Sequence, residues 1–165
     1  MKAYRLCGRH RDPKDASGAS RRGGRWNSPG TAILYCASTL SLACLEFLVH
    51  VRDLDNLPLL SGTEILIPDQ HIKSWASRRY DDHRTHAILQ SLVLSREIGD
   101  DWINYRSGPL SKPRTAEVAL EVPSAVVPQE PNYLINPLSP DFHEVVWSEP
   151  KPFNVDARLL FPRLR

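Results

Sequence analysis

Hydrophobic and polar positions alternate in short runs at both ends of the chain and take helical spacing in its middle. Ala3 to Leu6 predicts a first strand, with Tyr4 and Leu6 on one face and Arg5 on the other. A polar stretch from Gly8 to Ser20 leads into GGRWNSPG at 23–30. This is turn chemistry, since glycine permits unusual φ and close backbone approach, and such a loop can present Arg25 to a ligand. Thr31 to Cys36 predicts a second strand, with Ile33 and Tyr35 on one face and Ala32, Leu34 and Cys36 on the other. Ser38 or Thr39 then offers an N-cap to LSLACLEFLVHV, a helix apolar nearly all round and so expected to be buried. Glu46 lies in the middle of it, where an unpaired carboxylate would cost several kcal/mol or take up a proton. It needs a cation, a hydrogen-bond network or a cleft.

Asp53 to Ser61 reads as a loop and Thr63 to Ile67 as a strand stopped by Pro68. The polar segment 69–86 has a weak helical face at Ile72, Trp75 and Ala76, and 87–105 resumes a helical pattern with a break expected near Ser95. Ser107 to Thr115 has loop composition, and Ala116 to Pro123 alternates Val118, Leu120 and Val122 against Glu117, Ala119 and Glu121. Short strand-like runs follow at 125–127, 133–135, 142–147 and 155–160, separated by prolines. Strands in runs with helices clustered between them predict an α+β fold with a largely antiparallel sheet around a central buried helix. No internal repeat is present.

Bulk properties narrow the class. A chain of 165 residues fits one domain, 1–165, large enough to bury roughly 70% of its unfolded surface. With 41% hydrophobic and 24% charged residues it has the composition of a soluble globular protein. No apolar run approaches a bilayer span, and MKAYRLCGRHRD lacks the apolar core of a signal peptide, so a cytoplasmic location without membrane contact is expected. Cys7, Cys36 and Cys44 show no CxxC spacing and read as reduced small hydrophobes. A net charge of +2 is too small to signify nucleic acid by itself, although SRRGGR at 20–25 and SRRYDDHR at 77–84 are locally basic.

GxxxxGKS/T, GxGxxG and GxSxG motifs are absent, which removes the usual support for NTPase, Rossmann and α/β-hydrolase readings. His83 and His86 could share a helix face, but no carboxylate or cysteine pattern supports a metal site. Arg5, Arg25, Tyr35, Glu46 and Ser124 remain, each near a strand end or on the apolar helix. Arginine's planar fork suits bidentate phosphate contacts, and two such residues could hold a pyrophosphate. Tyrosine offers a flat face and a hydroxyl. A carboxylate suits the positive charge that develops on a sugar when its glycosidic bond breaks. The purely structural alternatives are a buried Arg–Glu ion pair, a core tyrosine with a satisfied hydroxyl, and a serine ending a strand.

GGRWNSPG, LYCASTLSLACLEFLVH and LEVPSAVVPQEPNYLINPLSPDF, in that order, strongly resemble the RES domain family. The resemblance spans roughly 4–147, with a C-terminal tail expected to pack on that region. It implies a toxin of a toxin–antitoxin module, a partner antitoxin of the Xre type covering the active cleft, and a fold similar to ADP-ribosyltransferases. It further implies depletion of NAD as substrate by hydrolysis or phosphorolysis, with inorganic phosphate as co-substrate in the second case and no tightly bound cofactor. The family's name-giving positions correspond to Arg25, Glu46 and Ser124, and Arg5 and Tyr35 match further pocket positions. Trp26, Asn27 and Asn132 also fit the motifs. Glu46, Arg25 and Tyr35 are the expected catalytic residues, and Arg5, Arg25, Tyr35, Ser124 and Asn132 the expected substrate contacts, with Ser124 on a phosphate. Transfer of ADP-ribose to a macromolecule is the first alternative. A non-enzymatic nucleic-acid or partner-binding module is the second, although direct nucleic-acid binding is not expected.

Overall fold

The computed structural model describes residues 1–51, 56–75, 83–104 and 117–160. In chain order the elements are β1 (Lys2–Gly8), α1 (Ser17–Arg22), β2 (Leu34–Ala37), α2 (Leu40–Leu48), β3 (Leu60–Leu66), β4 (Ile72–Ser74), α3 (His83–Gln90), α4 (Leu92–Asn104), β5 (Ala119–Pro123), β6 (Pro131–Ile135), β7 (Val146–Trp147) and β8 (Lys151–Phe153). Among the described residues the strands form one sheet in the order β4-β5-β6-β2-β1-β3-β7, with β8 also on β3. Neighbours are antiparallel except β4 and β5. The chain is thus α+β with a mainly antiparallel sheet, as the strand runs predict.

Strand alternation divides the sheet into two faces. Ala3, Leu34, Cys36, Ile65, Tyr133 and Ile135 make a buried layer on one of them. On the other, Ile33, Leu120, Val122 and Leu134 pack under α3 and α4 through Ile88 and Trp102. Tyr4, Leu6 and Ala37 join Leu42 and Ala43 of α2 in a further cluster. Strand β2 belongs to both groups, because Tyr35 packs toward α3 and α4 while Ala37, two residues on, packs under α2. The floor formed by β2, β6 and β5 therefore has α2 at one end and the α3–α4 pair at the other.

Several local expectations are corrected. Helix α2 ends at Leu48 and is not buried all round, since Leu45 is 39% and Val49 57% exposed. Its apolar outer residues stay at the surface because the sheet covers one side only. The helical break falls at Ser91, whose Oγ accepts from Leu94 N at 3.2 Å, while Ser95 sends its hydroxyl back to Ile88 O at 2.8 Å. Ile72 to Ser74 is a strand paired with β5. Residues 125–127 form a turn, 157–159 a 3-10 turn, and α1 arises within the polar N-terminal stretch. The 107–115 loop and most of the basic segment 77–84 lie outside the described residues.

Candidate active site

Thr39 caps α2, its Oγ1 accepting from Leu42 N and donating to Glu130 Oε2, both at 3.0 Å. The cap fixes the helix against the turn that follows β5. Further along α2, Glu46 is half-buried and its Oε1 receives two hydrogen bonds, from Asn132 Nδ2 at 2.6 Å and from Ser124 Oγ at 2.7 Å. Asn132 stands on β6 between Ala37 and Val122. Ser124 is fully buried just beyond β5, and its Oγ also accepts from Val126 N and Val127 N at 3.0 Å each. With both lone pairs occupied by amides, the single hydroxyl proton is directed at Glu46. The phosphate contact expected of Ser124 has no donor left for it in this arrangement.

Among the described residues Glu46 has no ion-pair partner. The Arg–Glu pair considered from sequence is not formed with any described arginine. Two neutral donors satisfy one carboxylate oxygen without cancelling its charge, and the other oxygen makes no hydrogen bond to a described residue.

The loop carrying Arg25 is built around Tyr35. The Tyr35 hydroxyl accepts from Trp26 N at 3.0 Å and donates to Asn27 Oδ1 at 2.7 Å. Asn27, itself fully buried, donates to Ala19 O and Thr31 O at 3.0 and 2.9 Å, closing the loop on itself. Gly23 turns the chain with φ of 70°, and Gly24 sits so close to Tyr35 that a Cβ would overlap its hydroxyl. Burial raises the Tyr35 phenol above its ordinary pKa, so it stays a proton donor to Asn27. Arg25 Nη1 donates to Leu89 O at the end of α3 at 2.6 Å. That leaves most of its five N–H bonds for a ligand.

Arg5 occupies the place where β1 and β2 part. The two strands share a single register pair, Tyr4 with Ala37. Beyond it Arg5 Nη1 donates to Tyr35 O at 2.9 Å and Nη2 to Asp15 O at 3.1 Å, while the buried Nε has no partner. The structure therefore joins Glu46, Ser124 and Asn132 in one hydrogen-bonded group. It sets Tyr35 on the same sheet face, diagonal to Asn132 and roughly 7–8 Å away by strand geometry. Arg25 hangs from the loop that Tyr35 holds, and Arg5 braces β2 through its backbone. Sequence reasoning overlooked Arg96 and Asp100 of α4, which also bond this loop. Their signal was a shared helix face with Gly99. Among the described residues no cluster of three or more His, Cys, Asp or Glu side chains is arranged to hold a metal ion.

One family model, the RES domain, matches residues 2–156, a span that holds the arginine loop, the helix-borne glutamate and the serine beyond β5. The chain belongs to the RES domain family. It is 32% identical over 145 residues to "Toxin Res" of Photorhabdus laumondii subsp. laumondii, covering 87% of this chain and 86% of that protein. It is 34% identical over 148 residues to "Toxin Res" of Yersinia enterocolitica, covering 86% and 87%. It is 35% identical over 150 residues to the "Prs ADP-ribosylating toxin" of Sphingobium sp., covering 90% and 88%. The fold of this RES chain is similar to one in the crystal structure of the M. tuberculosis MbcT–MbcA toxin–antitoxin complex. The TM-score is 0.62 at 15% identity, over 93% of this chain and 84% of that one. No described helix is long and apolar enough to cross a membrane.

Proposed function

We propose that this RES domain is a toxin that cleaves the nicotinamide–ribose bond of NAD, on a fold related to the ADP-ribosyltransferases. The observation that carries the reading is Glu46, a half-buried carboxylate oriented by two neutral donors and with no ion-pair partner among the described residues. Such a group is suited to a positive charge that exists only in the transition state. As the bond breaks, its electron pair leaves with nicotinamide, which departs neutral, and the ribose carbon becomes oxocarbenium-like beside Glu46. Water or inorganic phosphate then adds to that carbon, losing a proton in the case of water. Arg25 and Arg5 hold the phosphates with the N–H bonds they do not spend on Leu89, Tyr35 and Asp15 carbonyls. Tyr35 lends its ring to the nicotinamide riboside end, and Ser124 and Asn132 orient Glu46. An Xre-type antitoxin covers the cleft when bound.

The test is nicotinamide release from NAD by the purified chain free of antitoxin, with and without phosphate. Glu46→Gln keeps an acceptor oxygen for Ser124 and Asn132 and removes the charge. At about 4 Å in an effective dielectric near 20 a unit charge is worth about 4 kcal/mol, so a loss of roughly a thousandfold in rate is expected from a folded variant. If the wild type leaves NAD intact under both conditions, hydrolysis and phosphorolysis both fail. The relative named as an ADP-ribosylating toxin supports a second reading, transfer of ADP-ribose to a macromolecule. Labelled NAD would then mark protein or nucleic acid, with little free ADP-ribose.

A further inference from the structure

We propose that α4 is the clamp that sets the arginine loop, with Arg96, Gly99 and Asp100 as positioning residues that fix where Arg25 is presented. The proposal rests on the reading that Arg25 holds a phosphate of NAD. The three residues fall at i, i+3 and i+4 and so share one face of the helix. Arg96 Nε donates to Gly24 O at 2.9 Å. The Asp100 carboxylate receives Ser28 N–H at 3.0 and 3.2 Å on its two oxygens. Gly99 lies so close to the loop that a Cβ would overlap Trp26 O and fall 2.8 Å from Trp26 C.

These contacts grip the loop at 24, 26 and 28, on both sides of Arg25. Each neutral backbone group meets a charged partner of the matching kind, guanidinium on carbonyl and carboxylate on N–H, which makes the bonds stronger than neutral ones. Tyr35 holds Trp26 N and Asn27 from the sheet. Trp26 is therefore pinned between α4 and β2. Arg25 itself is tied to α3 at Leu89 O, and α3 is stapled to α4 by Ser95 Oγ on Ile88 O at 2.8 Å. Loop, guanidinium anchor and α4 form one unit, whereas Glu46 is held by α2, β6 and the turn after β5. Loosening the clamp should weaken substrate binding and spare the chemical step.

The experiment measures KM and kcat for nicotinamide release, urea melts, and amide exchange at Ser28 in the full chain carrying Asp100→Ala, Asp100→Asn or Gly99→Ala. Asp100→Ala is expected to raise KM about tenfold, the factor that about 1.4 kcal/mol represents, with kcat within about twofold of wild type. Asp100→Asn retains an oxygen for Ser28 N–H and should recover most of the loss, which a merely structural role would not require. Gly99→Ala must push α4 off the loop and should shift KM further the same way. An unchanged KM in Asp100→Ala, a loss confined to kcat, or an Asn variant no better than Ala overturns the proposal. Should Asp100→Ala fail to fold, Arg96→Ala, which deletes the donor to Gly24 O, decides by the same KM criterion. A wild type that releases no nicotinamide overturns the NAD reading instead. The clamp is then judged by exchange alone, and Ser28 exchanging no faster in Asp100→Ala or, should that variant not fold, in Arg96→Ala than in wild type refutes it.

Discussion

Replacing Ser124 by alanine tests how Glu46 is held. The change deletes the donor at 2.7 Å from Glu46 Oε1 and the acceptor shared by the Val126 and Val127 amides. A hydrogen bond to a charged group contributes about 1.5–3 kcal/mol, and the two amides lie in half-buried residues where water can replace part of what they lose. A stability loss of about 2–4 kcal/mol follows, readable as a shift in urea midpoint at constant slope. The catalytic effect differs in kind. Asn132 Nδ2 still holds Oε1 at 2.6 Å, so the carboxylate keeps one anchor and kcat should fall about 10–100-fold with KM nearly unchanged. Because both donors meet the same oxygen, either can hold Glu46 in the absence of the other. Removing both should cost more than the sum of the single losses, a coupling of about 0.5–3 kcal/mol in a double-mutant cycle with Asn132→Ala. Strictly additive losses, or a Ser124→Ala enzyme with full kcat, would refute the shared anchoring.

Tyr35→Phe removes the hydroxyl that bonds Trp26 N and Asn27 Oδ1, and should lower stability by about 2 kcal/mol in urea unfolding. Burial pushes the Cys36 thiol from 9.0 up to about 12, which makes stability fall with rising pH. Between those values the unfolded chain has released the proton while the folded chain keeps it, so the unfolded state binds fewer protons and rising pH favours it over the folded state. The slope is about 1.4 kcal/mol per pH unit above pH 9, and the raised Tyr35 phenol adds a loss of the same sign above its ordinary value of 10.0. Urea midpoints from pH 8 to 11 should show that decline, and Cys36→Ala should flatten its first part.

Local pattern was a good guide where one element decides the outcome. Tyr4 and Leu6 do share a face against Arg5, Ile33 and Tyr35 do face away from Leu34 and Cys36, and Thr39 does cap the helix. It was a poor guide where tertiary partners decide. Ile72 to Ser74 becomes a strand because β5 offers it an edge, and the helical break sits at Ser91 because Ser95 can satisfy its hydroxyl on Ile88 inside the helical pair. Arg96 and Asp100 look like ordinary solvated charges on α4 until the loop from Gly24 to Ser28 is laid against them.

Glu46 shows most plainly where reading a chain by itself stops. A carboxylate between Leu45 and Phe47 demands an explanation from sequence, and a cation, a network or a cleft would each have served. The donors that supply the answer lie 78 and 86 positions away, at Ser124 and Asn132, in segments whose own patterns predict only strands and turns. Their neutrality is what gives the site its chemical character. An arginine in either place would have consumed the charge in the resting protein and left a stable ion pair. A serine whose lone pairs are already taken by Val126 and Val127 can only donate, so it fixes the carboxylate's direction without cancelling its charge, which is what the proposed stabilisation of a transient cation requires.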